Sequence, residues 1–335
     1  MLNCRRRLKR ILLSGCVLLL FIAFRVAQAN SGPVSHDGSP PITTPANEAF
    51  HAIAQPPTDA MGENLADPTS PAYAEWMIWQ LNQYRAQQQN LPPLKADPAL
   101  MKAAQDYAAR LALGNFFGHS DPDFGCNRPS DRAVAAGYVQ WTVIGENLAA
   151  GYTTPEAALD ALKRSPGHNA AILSPEFREI GIGYYYEAED APNVRQNGPC
   201  PYTGVGGPYR HYWVQLFGAR TSNGIPVLPV IINGEAISTT QRQVDVYIHG
   251  TTGGSVWVQW MRFSEDNASW SAYEPYAPRK TLTLSGGSGL KTVYVQLMIG
   301  STIQTASDTI YLQDTEAPSD PLLSPRVFIP IVRQE

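Results

Sequence analysis

The apolar positions of the chain follow a helical period from residue 72 and switch to short alternating runs from residue 225. Met77, Leu81 and Tyr84, flanked by Trp76 and Ile78, share one face of a helix that opens at Ala72. Asp97 and Pro98 supply an N-cap and a first-turn proline. Leu100, Ala104, Ala108 and Leu111 follow at helical spacing, and Gly114 ends the helix. Thr154-Pro155-Glu156 opens a third helix carrying Ala158, Leu159 and Leu162, and Pro166 to Leu173 reads as a short fourth. Ile180 to Glu187 and His211 to Phe217 read as strands joined by a glycine-rich loop, so this segment is α+β. Beyond Ile225, the runs Val244–Ile248, Val256–Met261, Thr281–Leu284, Thr292–Ile299 and Thr309–Leu312 are β-rich and separated by glycine, asparagine and proline. They predict an all-β, immunoglobulin-like sandwich over 225–314.

The ends are read from composition. Five basic residues between Arg5 and Arg10, an apolar core from Val17 to Phe24, and Ala27-Gln28-Ala29 form an export signal over 1–29. An uncleaved anchor and lipidation at Cys16 are the alternatives. The second suffers because the apolar core follows the cysteine instead of preceding it. Residues 30–71 are rich in Pro, Ser and Thr and cannot bury enough surface to order themselves, so they read as a linker. Residues 315–335 form a Pro-rich tail.

Removing the signal strips six Lys and Arg and no acidic residue, which takes the formal charge from −4 to −10. Such a chain has no electrostatic reason to seek nucleic acid, and once mature it has no membrane span. Cys4 and Cys16 leave with the signal, and the remaining pair, Cys126 and Cys200, reads as one disulfide in an exported protein.

Four motifs stand in order along the α+β segment. They are Phe117-Gly118-His119-Ser120; Gly145-Glu146-Asn147-Leu148-Ala149; Ser165-Pro166-Gly167-His168-Asn169 with Glu179-Ile180-Gly181-Ile182-Gly183; and Tyr212-Trp213-Val214-Gln215-Leu216-Phe217-Gly218. Together they resemble the bacterial branch of the CAP superfamily, which includes the cysteine-rich secretory, antigen 5 and pathogenesis-related proteins, over 72–220. The resemblance implies an α-β-α sandwich with a cleft over the sheet. His119, His168 and Glu146 match the family's two histidines and first acid. Ser165 stands where the second acid belongs.

Two imidazoles and a carboxylate are three of the four donors of a zinc site with an open position. The same three groups serve equally as a hydrogen-bonded cluster tying three segments together. No His-Glu-x-x-His motif is present. Ser120 and Ser165 lie near these histidines in sequence, but nothing signals an oriented base, and no catalytic residue is assigned. The expectation is an extracellular binding module for a small apolar ligand or a protein partner, with a cleft able to take zinc. The alternative is a metal-dependent hydrolase of peptide or envelope material. Trp257, Trp260, Trp270 and Tyr276 are read as core and strand-surface residues, with a carbohydrate-stacking face as the second possibility.

Overall fold

The structure, a computed structural model, describes residues 72–252 and 255–313. The export signal (1–29), the linker (30–71) and the tail (315–335) lie outside the described residues.

Five helices and a four-strand run make the first part of the chain. Helix α1 spans Ala72–Gln89, α2 Pro98–Leu113, α3 Pro129–Ala135, α4 Pro155–Arg164 and α5 Pro166–Ile172. The strands are β1 (Lys95–Ala96), β2 (Trp141–Ala150), β3 (Glu179–Tyr186) and β4 (His211–Ser222). They lie in the order β1-β3-β4-β2. β1 runs parallel to β3 and the other pairs are antiparallel. The long strand β2 was not visible as a strand in the sequence. Gly145 and Asn147 both disfavour strands, and only pairing with β4 overrides them.

Alternation along β4 sorts the layers. Trp213 and Phe217 point toward α1, α4 and α5, while Tyr212, Val214 and Leu216 point toward α2 and α3. Local signals place the helices as expected. The Asp97 carboxylate accepts from the amides of Ala99 and Leu100, and the Thr154 hydroxyl accepts from Ala157 N. Helix α2 lies directly on β3 because Gly181 and Gly183 have no side chain. A Cβ at either would sit 2.1 Å from the backbone of Leu100 or Ala104.

The two main sheets of the second part are built from β5 (Val230–Ile232), β6 (Ser238–Thr239), β7 (Gln243–Ile248), β8 (Trp260–Ser264), β9 (Glu274–Pro275), β10 (Arg279–Thr283), β11 (Gly289–Ile299) and β12 (Thr302–Leu312). Sheet β6-β12-β11-β8-β9 and sheet β10-β7-β5 close on one core. Val230, Ile232, Val244, Val246 and Ile248 meet Met261, Phe263, Val293, Val295, Leu297 and Ile310 there. This is the all-β sandwich that the short runs predict.

A polar seam joins the sandwich to the layered part. Lys95 Nζ donates to Glu235 Oε1 at 2.8 Å and to Asp308 Oδ1, whose other oxygen accepts from Ile232 N at 2.6 Å. His249 is fully buried, donates from Nε2 to Pro93 O at 2.9 Å, and is held neutral by burial with its pKa lowered to about 3. Two carboxylates share one ammonium, so burial, with the Asp308 charge second, raises the Glu235 pKa to about 7 from 4.5.

The folded chain therefore holds a proton on Glu235 that the unfolded chain has lost between these values. This contribution to stability is complete below pH 4.5 and disappears as pH rises through about 7. Relative to Glu235→Gln, the wild type is expected to lose on the order of 1–3 kcal/mol across that window in urea unfolding. Parallel pH profiles for the two proteins would contradict the assignment.

Candidate functional site

The turn after α2 is clamped before it reaches His119. Tyr107 OH donates to Gly118 O at 2.5 Å, and Tyr202 OH accepts from Ser120 N at 2.9 Å and donates to Ser120 O at 2.8 Å. Gly118 is required for this close approach, since a Cβ there would meet the Tyr202 ring at 2.3 Å. Burial, reinforced by the nearby Glu146 charge, pushes the Tyr107 phenol far above its ordinary range, so it stays a donor. A disulfide between Cys126 and Cys200, as expected, ties the following loop to the glycine-rich segment, with the Cα atoms 5.9 Å apart. It closes a loop with a sequence separation of 74 residues, worth about 4 kcal/mol on the chain-entropy account.

Glu146 stands on β2, an edge strand, and faces the α2–α3 side with 6% of its surface exposed. Its Oε1 accepts from His119 Nδ1 at 2.9 Å, and its Oε2 from Arg132 Nη2 at 2.6 Å. The guanidinium of Arg132 lies 3.3 Å from the Tyr107 ring centroid, and its Nη1 donates to the carbonyls of His119 and Asn127. One arginine thus neutralises the acid, stacks on the ring and fixes the histidine backbone.

His168 arrives from the other layer. It sits in the first turn of α5, where its Nδ1 bonds Ser165 Oγ at 2.8 Å and its carbonyl accepts from Asn147 Nδ2 at 3.1 Å. Burial first, and the adjacent His119 second, lower its pKa below 6.5, so it is neutral at physiological pH. The two imidazoles meet around the free edge of β2.

Among the described residues, no group of three or more His, Cys, Asp or Glu side chains lies close enough to hold a metal ion. The reason is physical. Both Glu146 oxygens are engaged by Arg132 and His119, and His168 approaches from the opposite face of β2. Nδ1 of each imidazole is engaged, which leaves Nε2 without a hydrogen-bond partner among the described residues. Ser165, read as the possible fourth position, bonds His168 Nδ1 through its hydroxyl. Ser120 is held through its backbone by Tyr202. His211, the first residue of β4, is stacked by Tyr184, meets the tilted ring of Tyr186 and is bonded to Tyr184 OH, apart from this cluster.

Arg132 and Tyr107 are the site residues that sequence reasoning missed. No local pattern marks either. The usable signal was indirect: a carboxylate on a buried strand motif demands a cation.

Residues 80–217 match the family model described as the cysteine-rich secretory protein family, CAP. In Bacillus subtilis, the uncharacterized protein YkwD is 35% identical over 117 residues, which is 35% of this chain and 44% of that protein. The uncharacterized membrane protein YlbC of the same organism is 28% identical over 93 residues, 28% of this chain and 26% of that protein. The chain spans less than half the length of these curated relatives. Among solved structures, an outer surface protein of Borrelia burgdorferi aligns with a TM-score of 0.35 at 20% identity, covering 44% of this chain and 92% of that one. An extracellular protein containing a SCP domain from Bacillus anthracis aligns at 0.34 and 23% identity, covering 45% and 41%. The layered segment around the His119–Glu146 pair is therefore a CAP domain, a member of the cysteine-rich secretory protein family.

Proposed function

We propose that the chain acts outside the cell as a binding module, engaging a small apolar ligand or a protein partner at the edge of its CAP domain. The export signal read at residues 1–29 supports the location. One observation carries the rest: Glu146 is locked between Arg132 and His119, so both of its oxygens are engaged and the edge offers two imidazole rings and no free carboxylate. Rings set between apolar layers suit contact with an apolar ligand, whose burial is favourable.

The hydrolase reading asks for a third protein donor and a free general base beside the two imidazoles. The described residues supply neither at this edge. A divalent ion would meet only the Nε2 atoms of His119 and His168, with solvent completing its coordination. Glu146 would then act through His119, holding its ring, and not as a ligand.

Two outcomes follow. Arg132→Leu strands the Glu146 carboxylate in a buried place and is expected to cost roughly 3–5 kcal/mol in denaturant unfolding. Adding Glu146→Gln to the same chain should return most of that, and a loss below about 1 kcal/mol for the single change would show that the pair is unimportant. For function, chain purified from its extracellular medium is expected to retain a small molecule or a protein in native mass spectrometry. With zinc present it should release nothing from peptide or envelope substrates. Zinc-dependent product release that vanishes in His168→Ala contradicts the binding reading.

A further inference from the structure

The aromatic residues of the sandwich divide into two sets. Trp257 and Tyr276 pack against the core. Trp260 and Trp270 belong elsewhere. On the outer face of the five-stranded sheet, β8 presents Trp260 and Arg262, opposite Met298 and Gln296 of β11. The next row is Ile303 and Thr305 of β12, opposite the same two residues. Away from Arg262 this face is open: Trp260 is 43% exposed and Ile303 50%, and Thr305, Ser307 and Thr309 are exposed.

Arg262 is the unusual member. Its guanidinium lies 5.1 Å from the Trp270 ring centroid and 4.5 Å from that of Tyr273. Its Nε donates to Gln296 Oε1 at 2.8 Å, but its two η nitrogens have no hydrogen-bond partner and no carboxylate pairs with it among the described residues. Neighbouring acids are already engaged. Glu265 accepts from Ser285, Asp266 from the amides of Ala268 and Ser269, and Glu274 from Lys280. The hairpin that carries Trp270 is built, not loose. Ser271 N donates to Phe263 O, and its hydroxyl accepts from Phe263 N.

We infer that this outer face binds an acidic polysaccharide, a chain of pyranose rings bearing carboxylates. Trp260 offers an exposed ring for the apolar face of a sugar, and Gln296, Thr305 and Ser307 offer donors and acceptors for its hydroxyls. The unpaired η nitrogens of Arg262 match a carboxylate, which guanidinium recognises through two parallel hydrogen bonds. Adjacent strands stand about 4.8 Å apart, close to the length of one sugar in an extended glycan, so successive rings can track across the sheet.

The test is calorimetric titration of the full chain with polygalacturonate and with a neutral galactan of the same length. Polygalacturonate is expected to bind at least about tenfold more tightly than the galactan, an interval of about 1.4 kcal/mol. Trp260→Ala and Ser307→Glu should each weaken binding by about tenfold or more with the melting temperature unchanged. Because Ser307 is exposed, its change carries little folding risk. Arg262→Gln should erase the preference for the charged polymer. His168→Ala in the CAP cleft should change nothing. Absence of binding, equal binding of the two polymers, indifference to both Trp260→Ala and Ser307→Glu, or loss in His168→Ala would each overturn the inference.

Discussion

A carboxylate buried on an edge strand has to be neutralised, and the CAP domain is arranged around how that is done for Glu146. The cation comes from α3, a helix of two turns that packs few apolar residues of its own. Arg132 reaches Glu146 only by lying flat over Tyr107 of α2, and its second nitrogen holds the His119 carbonyl. Remove the acid and the arginine has no reason to cross the ring. Remove the arginine and the acid has no counter-charge. The position of His119 is thus a consequence of charge burial, and the cleft inherits its geometry from that requirement.

The second constraint is close packing of helix on strand. Gly181 and Gly183 let α2 touch β3 through backbone, which fixes the layer distance on the side where Tyr107 and His119 stand. On the other side, Arg85 of α1 donates to the carbonyls of Ile172 and Ser174, anchoring the end of α5 and hence the helix that carries His168. The two imidazoles are placed by different layers, so the edge of β2 is where the two halves of the core meet. The sandwich joins at the far end of the sheet, where Glu235 and Asp308 bind Lys95 of β1 and His249 bonds Pro93 just before it, which leaves the β2 edge uncovered by that seam.

Much of this was legible in the sequence because the signals are local. Asp97-Pro98 and Gly114 bound α2, Thr154-Pro155 opens α4, and the period-two runs after Val244 are strands. The run Val256–Met261 was only half legible: it breaks, with pairing at Ser255–Val256 and again from Trp260. The Cys126–Cys200 bridge followed from cysteine arithmetic, on the expectation that the chain is exported. What local signals could not carry was tertiary. The strand around Glu146 is made by its partner β4, and Arg132 is recognisable only once the acid's burial is known. Nor could local signals show that strand alternation puts Glu146 and Asn147 on opposite faces of β2, so that the acid faces one layer and His168 is met by its neighbour.

The central claim is that Glu146 sets the proton position on His119. Nitrogen-15 NMR of the imidazoles at alkaline pH tests it without a ligand or an activity assay. The account predicts that His119 carries its proton on Nδ1, shared with Glu146, with a bare Nε2 facing the cleft, and that Glu146→Gln disturbs this signal while leaving His211 unchanged. A His119 protonated on Nε2 with a bare Nδ1 would contradict it.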